Sequence, residues 1–80
     1  MSRAEIMGKI TGIIRDIFDD GELTVTEETT ASDVEDWDSL EQINILVAIE
    51  KQFGIKFSVS DVEDLKNVGG MIDLILRKLA

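Results

Sequence analysis

Few side chains in this 80-residue chain could do covalent chemistry. It contains no Cys, no His and no Tyr, which excludes thiol nucleophiles, imidazole bases and zinc sites of ordinary composition. An enzyme acting alone would have only carboxylates to work with, and no clustered pair in an expected cleft supports one. What stands out is one serine in a defined setting, within Asp36-Trp37-Asp38-Ser39-Leu40-Glu41. Asp38 followed three residues later by Glu41 is a capping-box variant that makes Asp38 the N-cap, Ser39 the first helical residue and Gly54 the residue just past the helix end. Unpaired N–H groups and a dipole end worth about half an elementary charge favour a phosphate at Ser39. Taken alone, a Ser at a helix start is most often only a helix-start residue.

The charge distribution narrows the partners. Formal charge is −9, with eleven acids and no Lys or Arg from Asp16 through Glu41. Such a surface repels nucleic acid and anionic lipid and attracts proteins with basic patches in a salt-sensitive way. The simplest reading of these acids is a solvated face that aids solubility. The Asp-rich run ending at Gly21 fails as a calcium loop, because apolar Ile17 and Phe18 interrupt the set of oxygen ligands it needs; no metal site is expected. No apolar run of a signal peptide, membrane span or lipidation motif is present, so a cytoplasmic protein is expected.

Eighty residues make one small domain, 1–80, whose 44% hydrophobic content suffices for a single, mainly aliphatic core. From about Ala4 to Phe18, Ile6, Ile10, Ile13, Ile14 and Ile17 recur at helical spacing, and Asp19-Asp20-Gly21 ends this first helix. Gly21 to Trp37 has no sustained period; a connection this long must be pinned, with Leu23, Val25 and Val34 dropping into the core. Helix two, Ser39 to Phe53, is apolar over more than one face: Leu40, Ile43, Val47 and Phe53 cover one direction, and Ile45, Leu46 and Ile49 extend it. That breadth predicts a central, widely buried helix. Ile55 to Val59 reads as an extended loop anchored by Ile55, Phe57 and Val59. A capping box at Ser60-Asp61-Val62-Glu63 opens a short helix three through Leu65. Helix four runs from about Val68 to Leu79. Gly69-Gly70 in its first turn serves either close packing or fraying that opens the bundle. The fold expected is all-α, a small four-helix bundle of three longer helices and one short one.

Asp38-Ser39-Leu40, followed by Ile43, Ala48, Ile49, Glu50, Phe53-Gly54-Ile55 and Phe57, resembles the acyl carrier protein family. The resemblance runs from about Ile6 to Leu79 and implies a long loop between helices one and two. It also implies that Ser39 is esterified with the 4'-phosphopantetheine of coenzyme A, by a separate phosphopantetheinyl transferase that uses magnesium. The arm's thiol would carry acyl groups as thioesters for enzymes of fatty-acid, modified-lipid or secondary-metabolite synthesis, or alternatively aminoacyl or peptidyl groups. The carrier itself is not an enzyme. Acyl-loading and acyl-transfer enzymes with basic docking surfaces would meet Asp36, Asp38, Leu40, Glu41 and Asn44. An acyl chain would slip among Leu40, Ile43, Leu46, Val47, Ile55, Phe57, Val62, Leu65, Met71 and Ile72.

The chain departs from the family pattern twice. Fatty-acid carriers usually have Glu five residues after the serine, where this chain has Asn44, and a small or aliphatic residue before Asp-Ser-Leu, where it has Trp37. Both departures are read as a specialised, free-standing member serving a dedicated pathway; a monomer is expected. The competing reading is an unmodified acidic adaptor that docks through helix two.

Overall fold

A computed structural model describes residues 1–80. The order of elements is α1 Arg3–Ile17, a 3-10 turn Ala31–Asp33, α2 Ser39–Phe53, α3 Val59–Glu63 and α4 Val68–Leu79, so the fold is an all-α bundle of three longer helices and one short one. α1 packs against both α2 and α4. Its buried stripe of Ile6, Ile10 and Ile14 meets Ile45 and Ile49 of α2, and Val68, Met71, Ile72 and Ile75 of α4, in one core. β-Branched isoleucines are mediocre helix formers, so this burial rather than local propensity holds α1. Its start lies one residue earlier than the hydrophobic period suggests, because Ser2 and Glu5 form a reciprocal capping box.

The connection from α1 to α2 is pinned as expected. Leu23, Val25 and Val34 pack on the core, and Arg15 Nε donates to the Leu23 carbonyl at 2.9 Å. The loop also serves α4. The Thr29 carbonyl accepts from the Val68 N–H at 3.0 Å and the Glu27 carbonyl from the Gly69 N–H at 2.7 Å, while Asn67 Oδ1 caps the Gly70 N–H at 2.8 Å. Three N–H groups that a helix start leaves orphaned are thereby satisfied. A Cβ on Gly69 would lie 3.1 Å from the Glu27 carbonyl oxygen, which decides for close packing over fraying at this glycine. Arg3 adds a clasp, pairing with Glu27 and with Asp73.

Three expectations need correction. The short helix starts from Ser58, not Ser60: Ser58 Oγ accepts from the Asp61 N–H at 3.1 Å and Asp61 Oδ2 from the Ser58 N–H at 2.9 Å. This alternative box wins a carboxylate that also pairs with Lys78 at 2.8 Å. Val59 consequently sits in the first turn, 76% exposed, and anchors nothing. α2 is also less widely buried than its composition suggests. Ile45, Leu46 and Ile49 are buried, whereas Leu40 is 65%, Ile43 58% and Val47 41% exposed.

Candidate functional site

The turn into α2 is built by side chains on both sides of Ser39. Asp38 is the N-cap, its Oδ1 accepting from the Glu41 N–H at 2.9 Å. The return half of a capping box is absent: Glu41 Oε1 instead accepts from Asn44 Nδ2 at 2.8 Å. The Asp38 N–H is taken by the Asp36 carbonyl at 3.1 Å. Ahead of the cap, Trp37 is buried against Phe18, ring centroids 5.8 Å apart, and its indole donates to Gln42 Oε1 at 2.6 Å. The far end of α2 stops at Gly54, whose left-handed φ of 66° suits a residue without Cβ. Beyond it, Glu50 Oε2 accepts from the Phe57 N–H at 2.8 Å. That acid of α2 is committed to holding the loop.

Ser39 is exposed. Its hydroxyl has no partner within the chain, and neither it nor Leu40 has a backbone acceptor for its N–H. It borders a cavity of about 550 Å³ between the start of α2, the 3-10 turn and the α3–α4 junction, lined by Thr29, Thr30, Ala31, Trp37, Asp38, Ser39, Gln42, Ile43, Val62, Leu65, Lys66, Asn67 and Met71. On α2, Ser39, Gln42 and Ile43 fall on one face by the three- and four-residue spacing. A free hydroxyl, two free N–H groups at the positive end of a 15-residue helix and an adjoining cavity fit a phosphodiester and the arm beyond it.

Of the residues expected to enclose an acyl chain, Ile43, Val62, Leu65 and Met71 line this cavity. The other six lie elsewhere. Leu46 and Ile72 are buried, with Ile72 in the main core, and Phe57 packs on that core. Ile55 is a core residue that also borders, with Val47, a second depression at the C-terminal end of α2. Leu40 projects to solvent beside Ser39. Asp36, Asp38 and Asn44 are exposed and Glu41 is half-buried, so these acids and Asn44 gather around the start of α2. The polar lining residues Thr29, Thr30, Gln42, Lys66 and Asn67 were not expected. Only Gln42 had a local signal, its place one turn beyond Ser39.

Comparison with known proteins places the chain in a family. Residues 8–75 match the family described as phosphopantetheine attachment site. The acyl carrier protein of Thermotoga maritima is 35% identical over 98% of this chain and 96% of its own length. That of Thermosynechococcus vestitus is 33% identical over 100% of this chain and 99% of its own. The solution structure of a holo acyl carrier protein from Geobacter metallireducens superposes with a TM-score of 0.85 at 41% identity, covering 91% of this chain and 84% of that one. The fold and site define a phosphopantetheine-bearing domain. This chain belongs to the acyl carrier protein family: it is a non-catalytic carrier whose cofactor is 4'-phosphopantetheine.

Membership implies dealings with a modifying enzyme and with enzymes that handle acyl groups. No helix is long and apolar enough to cross a membrane.

Proposed function

We propose that Ser39 is the attachment residue, and that this chain is a monomeric cytoplasmic carrier serving a dedicated lipid or secondary-metabolite pathway. The observation that carries the assignment is the exposed, unpartnered Ser39 hydroxyl at the start of α2, bordering the cavity. In the transferase complex the Ser39 oxygen forms the new bond to phosphorus, adenosine 3',5'-bisphosphate leaves, and the hydroxyl proton passes to a base on the transferase. The bound arm supplies a thiol that holds acyl groups as thioesters. The chain's own part is positional: the Ser39 and Leu40 N–H groups face the phosphodiester, and the cavity receives the pantetheine and its cargo.

Asp36, Asp38, Glu41 and Asn44, with Leu40 as an exposed apolar contact, would make up the docking surface. Charges at a rim raise association rate more than affinity, which suits a carrier that must visit several enzymes. Tethering turns diffusion of a free acyl group into delivery at high local concentration.

Intact mass before and after incubation with coenzyme A, magnesium and a broad-specificity phosphopantetheinyl transferase tests the assignment. The native chain should gain one phosphopantetheine and Ser39→Ala none. No gain in a folded native chain, with the transferase active on a control carrier, would favour the unmodified acidic adaptor.

A further inference from the structure

The polar lining of the cavity is biased toward donors. Trp37 Nε1–H can only donate, so the Gln42 atom it meets at 2.6 Å is the carbonyl oxygen, and the amide nitrogen of Gln42 is left over. The backbone N–H of Gly70 likewise fixes Asn67, whose Oδ1 caps α4 at 2.8 Å while Nδ2 is left over. Neither nitrogen has a partner in the chain. Yet no side-chain nitrogen or oxygen of a non-exposed residue is sealed from solvent unpaired, and both residues are only half-buried. Both nitrogens are therefore reachable. Lys66, also on the lining, takes part in none of the chain's ion pairs. The one lining carboxylate, Asp38, adjoins the attachment residue and has Oδ1 committed to the Glu41 N–H.

Resting on the carrier reading, we infer that the cavity selects acyl groups bearing a hydrogen-bond-accepting oxygen near the thioester, such as 3-oxoacyl chains, over plain alkanoyl groups. Gln42 Nε2 and Asn67 Nδ2 are the donors that hold this oxygen. Ile43, Val62, Leu65 and Met71 supply the apolar wall for the remaining carbons. A plain chain leaves the two amides without a partner when it displaces water from them, and that is the origin of the discrimination.

The arm's own amide carbonyls share the acceptor chemistry, so the test separates arm from cargo. The full chain is converted with a broad-specificity transferase into three forms, holo, octanoyl and 3-oxooctanoyl, each verified by mass. Thermal unfolding and the side-chain amide signals of Gln42 and Asn67 are then recorded. The 3-oxo form should melt above the octanoyl form by about 4–8 °C, the shift one net hydrogen bond gives a domain of this size. Its Gln42 and Asn67 amide protons should move downfield relative to both other forms. Gln42→Glu with Asn67→Asp keeps both acceptors for Trp37 and Gly70 but removes both donors, and should abolish the difference. Equal melting of the two acyl forms of the native chain would overturn the inference, whatever the variant does. So would amide shifts already complete in the holo form, which would assign the donors to the arm. Failure of the mass gain at Ser39 is a separate result and overturns the carrier reading itself.

Discussion

The indole N–H of Trp37 reaches across the start of α2 to Gln42 Oε1 at 2.6 Å, spanning the two residues, Asp38 and Ser39, on which the site depends. One bond thus ties the buried end of the long loop to the first turn of α2. Trp37→Phe keeps the ring contact with Phe18 but loses this bond and part of the packing. It should cost about 1–2 kcal/mol, and Trp37→Ala about 3–5 kcal/mol. Urea unfolding followed by circular dichroism measures both; a loss near zero for the alanine variant would show that the buried ring holds nothing.

Gly69 and Gly70 make opposite predictions from adjacent positions. A Cβ at Gly69 would meet the Glu27 carbonyl oxygen at 3.1 Å and the Glu27 Cβ at 3.3 Å. The backbone there cannot retreat without stretching the 2.7 Å bond from the Gly69 N–H. Gly69→Ala should therefore destabilise by about 1–3 kcal/mol, the usual range for overpacking. At Gly70 the nearest atom would be Asn67 Oδ1 at 3.4 Å, an ordinary contact, so Gly70→Ala should be neutral or stabilising by up to about 1 kcal/mol. Calorimetry of both variants decides the matter, and equal effects would refute the close-approach account.

How far the chain could be read beforehand depends on the range of the forces involved. Asp38, Ser39 and Gly54 were legible because caps act within four residues, and the isoleucine stripe of α1 because one helix face suffices to define it. Ser58 and Ser60 both offer a capping box, with Asp61 and Glu63 respectively; the one that forms is the one whose acid also meets Lys78, 17 positions along from Asp61. The α2 residues Leu40, Ile43 and Val47 look like core by type, yet no element packs over them tightly enough to bury them. The cavity was the least legible part. Gln42, Asn67 and Thr29 meet only through the fold, and the loop that brings Thr29 has no period to read.

The same ion pair predicts an acid response. The Lys78 ammonium, with the Ser58 backbone N–H next in importance, holds the Asp61 carboxyl down at about 2 against an ordinary 3.8. A carboxyl whose folded value lies below its unfolded one stabilises the fold fully above the unfolded value, and that contribution disappears as pH falls from about 3.8 through about 2. Lys78→Met removes the larger cause and leaves the Ser58 bonds. The Asp61 titration followed by NMR should move up toward 3.8 without reaching it, and α3 should lose protection from hydrogen exchange at neutral pH. An unmoved titration would mean that Ser58 alone sets it.

Docking can be dissected by salt, because the two kinds of contact around Ser39 obey different physics. Glu41 is charged, and the interaction of its carboxylate with a basic partner is screened over about 10 Å at 0.1 M salt; Leu40 is 65% exposed and contributes by apolar burial, which salt does not screen. Glu41→Lys should lower kcat/KM for phosphopantetheinylation by about tenfold at low salt, through slower association. That deficit should shrink toward unity at 0.5 M salt. Leu40→Ala should lower it by a factor that salt leaves unchanged. Neither residue is buried in the core, so circular dichroism of both variants should match the native chain. If the Glu41 deficit persisted at high salt, the acid would be acting through its 2.8 Å bond with Asn44 on the shape of the first turn. Asn44→Ala would then reproduce the deficit. A normal Asn44→Ala alongside a salt-sensitive Glu41→Lys leaves steering as the account of how this acidic surface finds its enzymes.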